Sequence, residues 1–142
     1  MVSGILKTTD AFSFLLIRLP VGLIFLSEGI QKFVTPEAVG AGRFAKIGFD
    51  NPEFWSQFVG VTEIVCGSFI LLGCITRLAA IPLLIIMAVA FVKTKYPTLL
   101  EKGFWTMAHE YRTDFSMTML LLFLLFYGAG KYSLDQSLYE RR

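Results

Sequence analysis

The chain has 142 residues, 55% of them hydrophobic, with a net charge of +2 and a mean hydropathy of +0.64. That apolar fraction exceeds the usual share in soluble domains, the length fits a single domain over residues 1–142, and with so small a net charge no basic surface argues for nucleic acid as a partner. In chain order, apolar stretches fall at residues 11–33, 54–75 and 78–95. A fourth runs from 112 to 130, with its apolar heart at 115–129. A membrane-crossing helix needs about 20 residues. The first two stretches meet that directly. The others reach it with flanking residues, where Lys93, Lys95 and Lys131 can snorkel.

Segments 78–92 and 115–126 are apolar all round. A soluble surface helix would show a polar stripe. The expected fold is therefore all-α: a four-helix antiparallel transmembrane bundle surrounded by membrane lipids. Lys7 ahead of the first stretch resembles a signal-peptide start, but Arg18 interrupts the apolar run and no small-residue cleavage site follows closely. The first helix is expected to be retained. An even number of crossings places both termini on the same side.

Boundary signals mark the segments. Asp10 is placed to cap the first helix, and Pro20 to kink it. Asn51-Pro52 reads as a cap followed by a first-turn proline, with Phe54 and Trp55 at the interface. The short stretch from Gly73 to Arg77 makes the second and third helices antiparallel neighbours. Pro97 is expected to end the third helix, and Gly128 and Gly130 to close the fourth. Two longer connections remain. Residues 34–53 carry Phe44, Ile47 and Phe49, the pattern of a short helix lying in the interface. Residues 96–112 carry Phe104, Trp105, His109 and Tyr111. Lysines and arginines divide almost evenly between the two ends of the bundle, so the positive-inside rule assigns neither to the cytoplasm.

Ionisable residues within membrane helices cost about 2.5–3.5 kcal/mol each at the helix centre and tend to face the interior. Here they are Arg18, Glu28 and Lys32 in the first segment, Glu63 in the second and Asp114 at the opening of the fourth. At ~100° per residue, Arg18, Gly22, Phe25, Gly29 and Lys32 share one helix face. Glu63, Gly67, Ile70, Cys74 and Arg77 share another. Glu63 falls near the membrane middle. Glu28 and Lys32 lie toward the long connections, in the acid-then-base order that favours a helical pair. Glu28, Lys32, Glu63 and Asp114, joined by His109, are thus expected to form one ligand-binding or buried polar cluster. Phe25, Phe33, Phe104, Trp105 and Tyr111 are expected to wall it. Arg18 and Arg77 are expected to form a second buried polar group on the terminal side. Cys66 and Cys74 lie roughly 12 Å apart on a helix, too far to pair. No metal site is expected, and a single histidine excludes a bis-histidine haem held by one chain.

Three runs carry a family resemblance. Arg18-Leu19-Pro20-Val21-Gly22 with Gly29-Ile30-Gln31-Lys32-Phe33 resembles the opening of the DoxX family. Glu63, then Leu71-Leu72-Gly73 and Thr76-Arg77-Leu78-Ala79-Ala80, is similar to its centre. Gly128-Ala129-Gly130-Lys131-Tyr132-Ser133-Leu134-Asp135 resembles its ending. The resemblance spans about residues 12–136 and implies a small four-helix protein of a bacterial or archaeal cytoplasmic membrane. It also implies association with redox systems, so a quinone ligand and a partner oxidoreductase are the expected company. No flavin, haem or iron–sulfur motif is present, so no covalently held cofactor is expected. Two other readings stand beside it. One is a proton-coupled small transporter acting as a homo-oligomer, which needs a polar path from Glu63 past Arg18. The other is a scaffold without catalysis, which needs a filled core.

Overall fold

The 22 residues Ser13–Val34 form α1, the first helix of a computed structural model that describes residues 12–141. The short α2 follows at Ala41–Lys46, then α3 at Pro52–Leu72 and α4 at Thr76–Ala90. A π-helical turn at Phe91–Lys95 leads into α5, Tyr96–Lys102. The chain ends through α6, Phe104–Tyr127, and α7, Leu134–Glu140. No strand occurs among the described residues. The all-α reading holds, with more helices than the four expected. The cap assigned to Asp10 lies outside the described residues, and α1 runs through Pro20 unbroken.

Among the described residues, three helical stretches are long and apolar enough to cross a membrane: Ser13–Val34, Pro52–Leu72 and the continuous Thr76–Lys102. α6 is 24 residues long, but Glu110, Arg112 and Asp114 interrupt its apolar run.

Local chemistry sets the boundaries. Asn51 Oδ1 accepts the Phe54 N–H, and Pro52 starts α3, because its missing N–H costs nothing in a first turn. The sequence runs this helix to residue 75, yet it stops at Leu72. Gly73 adopts φ 65°, and the Cys74 N–H turns back to the Phe69 carbonyl at 2.9 Å, which gathers up the last free carbonyls of the helix.

Pro97 does not end the third long helix as the sequence suggests. A proline inside a helix clashes with the carbonyl four residues before it, here that of Lys93. The wide turn at Phe91–Lys95 relieves that clash, and the Tyr96 N–H reaches back to the Phe91 carbonyl. The Thr94 and Thr98 hydroxyls donate to the Ala90 and Thr94 carbonyls at 2.6 and 2.9 Å. Residues 96–112 are accordingly no loop. A break at Gly103, φ 87°, separates α5 from α6, and α6 begins eight positions ahead of the expected 112.

α1 packs on α3, α3 on α4, α4 on α6, and α6 closes back on α1. Val21, Ile70, Leu83, Leu121 and Leu124 fill the shared core. The α1–α3 contact is the tightest. A Cβ on Gly29 would stand 2.7 Å from the Gly60 carbonyl oxygen, and one on Gly67 would stand 3.0 Å from that of Gly22. Stepping forward from Gly22 to Gly29 matches stepping back from Gly67 to Gly60, so one antiparallel register brings backbone against backbone across two helical turns. Small residues permit such an approach in lipid, where packing replaces the hydrophobic drive.

Candidate functional site

The α1–α3 register brings two charged side chains face to face. Lys32 Nζ lies 2.7 Å from Glu63 Oε2, and both residues are buried, at 8% and 4% exposure. Lys32 also donates to the Glu28 backbone carbonyl at 3.4 Å. The acid-then-base spacing of Glu28 and Lys32 therefore yields a contact to the peptide and not to the Glu28 carboxylate. Two of the three ammonium protons are thus engaged. Among the described residues no donor reaches the second oxygen of Glu63.

This pair forms part of the wall of a cavity of about 460 Å³. Its size falls within the ~300–1,000 Å³ of small-molecule sites, and its lining is largely apolar with a few convergent polar groups, as such sites require. Glu28 and Asp114 line the same space. Asp114 comes from well inside α6, not from its opening, and pairs with Lys95 of the π turn at 3.5 Å. His109 does not join them. It is exposed on α6, and its carbonyl accepts from the Arg112 guanidinium at 2.6 Å. Because α6 starts early, His109 sits on its outer surface and not in a loop folded over the cluster.

The aromatic walls differ from expectation as well. Phe25 lines the cavity, whereas Phe33, Phe104, Trp105 and Tyr111 do not; Phe44, Phe49, Trp55 and Phe58 take their place. The residues 34–53 fold over the cavity through α2, whose Phe44 is buried and packs on Phe49 with ring centroids 5.0 Å apart. Two cations outside the expected cluster, Arg43 and Lys93, also line it. The Lys93 ammonium stands 5.1 Å above the Phe49 ring. Their role could not be read from spacing, since it depends on the lid and on the π turn.

The terminal side is built differently. Arg18, 3% exposed, donates to four backbone carbonyls: Ile70 at 3.1 Å, Leu71 at 2.8 Å, Ala129 at 3.1 Å and Tyr132 at 2.6 Å. The first two belong to the C-terminal turn of α3, where free carbonyls and the helix dipole favour a cation. The others belong to the glycine-rich ending. Arg77 is not its buried companion. The helix break at Gly73 places Arg77 in the first turn of α4, out of phase with Glu63 and Gly67, and leaves it exposed beside Gly128. Asp135 is the residue that sequence reasoning missed here. Its carboxylate accepts the Ile75 and Thr76 N–H groups at 2.6 and 3.0 Å, capping α4 from a distance in sequence. Cys66 and Cys74 are both free thiols.

Long apolar helices locked by a buried ion pair and a backbone-bound arginine define an integral membrane protein. A model of the DoxX family matches residues 13–95. A protein of Mycobacterium tuberculosis described as "uncharacterized membrane protein Rv3486" is 52% identical over 135 residues, covering 91% of this chain and 83% of that one. The chain belongs to the DoxX family. No solved structure matches it.

Proposed function

We propose that this protein is a ligand-binding membrane subunit of a redox system, and that its cavity takes a quinone-like ring. In this reading α6 crosses the bilayer with the other three long helices, giving four crossings in the cytoplasmic membrane and both termini on one side. The observation that supports it is the Lys32–Glu63 pair set in the wall of a 460 Å³ apolar cavity. Lys32 keeps a proton for a ring carbonyl, and the second Glu63 oxygen can accept from a ring hydroxyl, so the oxidised and reduced forms of a quinone both find a complement. A partner oxidoreductase would supply or remove the electrons.

Two features weigh against the other readings. A polar path from Glu63 past Arg18 would have to pass Val21, Phe25 and Ile70, which are at most 3% exposed and apolar. Arg18 itself is held by four carbonyls. A scaffold without a ligand has no use for an open cavity beside a buried ion pair. The experiment is quinone binding by the purified protein in mild detergent, compared with Glu63→Gln and Lys32→Met. Saturable binding that both variants weaken is the expected result. Equal, non-saturable partitioning into all three would refute the quinone site.

A further inference from the structure

The charges lining the cavity do not all find partners. Glu63 is matched by Lys32, and Asp114 by Lys95. What remains is half-buried Glu28, inside and near the ion pair, against Arg43 and Lys93, which are exposed. Neither cation has an ion-pair partner among the described residues. The exposed part of the cavity lining, its mouth, therefore carries two cations held by no ion pair among the described residues.

The surroundings of that mouth have the chemistry of a bilayer interface. Trp55 lines it, 41% exposed, and packs edge-on against Phe54 and Phe58 at 5.3 and 6.0 Å, both of them more than half exposed. Exposed aromatic side chains at the end of a membrane helix sit at headgroup level. Phe58, one turn further along α3 than Trp55, and Ile85 of α4 line the cavity and are also open to the outside, at 55% and 60%. An apolar strip thus descends from a cationic, aromatic rim. The π turn contributes to this arrangement, since one wide turn directs Lys93 to the rim and Lys95 to Asp114.

We propose that Arg43 and Lys93, with Trp55, form a phosphate-headgroup site for an anionic phospholipid at the mouth of the cavity. The guanidinium and ammonium meet the phosphodiester oxygens, the indole lies at the level of the glycerol, and an acyl chain follows the strip at Phe58 and Ile85. The lipid closes the interfacial side of the cavity, a part the protein alone leaves open. This site stands whether or not the cavity holds a quinone.

The test uses the full-length protein in mild detergent, with phosphatidylglycerol, phosphatidylcholine or inorganic phosphate added, and bound lipid counted by native mass spectrometry. Phosphatidylglycerol should bind in preference to phosphatidylcholine. Its affinity should fall about fivefold in Arg43→Gln and in Lys93→Gln, the amount expected for one basic side chain at a membrane surface, and by roughly 25-fold in the double variant. Lys46→Gln is the control, because Lys46 is exposed on the same short helix and does not line the cavity; it should bind like the parent. All three positions are exposed, so the variants should keep the parent's unfolding midpoint without lipid. Equal binding of the two lipids, or undiminished binding by the double variant, overturns the proposal. Full displacement of phosphatidylglycerol by millimolar inorganic phosphate also overturns it, since the site would then serve a soluble anion.

Discussion

Lys32 and Glu63 meet at 2.7 Å although 31 residues separate them, because the glycines of α1 and α3 let the two helices touch along one register. Removing one partner of a buried pair strands the other charge, at about 3–5 kcal/mol. Lys32→Met alone should therefore lower the unfolding midpoint in detergent strongly, and adding Glu63→Gln should restore part of the loss. A double-mutant cycle reads the coupling. Additive losses would show that the two side chains do not stabilise one another.

Gly29→Ala tests the close approach itself. The added Cβ would stand 2.7 Å from the Gly60 carbonyl and 3.0 Å from the Ile64 nitrogen, both backbone atoms that cannot rotate away. Overpacking of this kind costs about 1–3 kcal/mol. Thermal unfolding should register it, and the parted helices should weaken the Lys32–Glu63 coupling in the same cycle.

Arg18→Lys keeps the charge and loses the fork. Four carbonyls converge on the guanidinium from several directions, and one ammonium cannot reach them all. With hydrogen bonds to charged groups worth about 1.5–3 kcal/mol, a loss of at least one such bond should appear in chemical unfolding. A variant as stable as the parent would mean that the fork contributes nothing.

His109→Gln and Arg77→Gln should each shift stability by less than about 0.5 kcal/mol and leave ligand binding unchanged. Both residues are exposed, and neither lines the cavity. A binding defect in either would mean that the ligand extends beyond the cavity described above.

The contrast between these residues shows what the sequence could disclose. Helical phase alone selects Arg18, Gly22, Phe25, Gly29 and Lys32 as one face, and all five are buried on α1. Phase works there because the helix is continuous. It fails at Arg77, where Gly73 interrupts the helix and resets the count. His109 is a different case, since the loop expected there is instead the first turns of α6. The meeting of Lys32 with Glu63 could be anticipated from depth. Arg43 and Lys93 at the cavity mouth could not, since their positions depend on a lid folding back and on one irregular turn. Gly60 likewise has no signal of its own until Gly29 is laid against it.

The cap that Asp135 places on α4 bears on the order in which the protein is made. Ile75 holds φ 43°, a conformation that a β-branched residue rarely adopts, and its N–H is met by a carboxylate 60 residues further along. The α3–α4 hairpin is complete in the chain at Ala90, ahead of that carboxylate in the order of synthesis. Until Asp135 is added, the turn at Ile75 has no carboxylate to cap it. A chain halted between Tyr127 and Tyr132 would carry all its long helices and still lack both the latch on Ile75 and the Tyr132 carbonyl that holds Arg18, so the segment after α6 supplies contacts that hold α1 and the α3–α4 turn together.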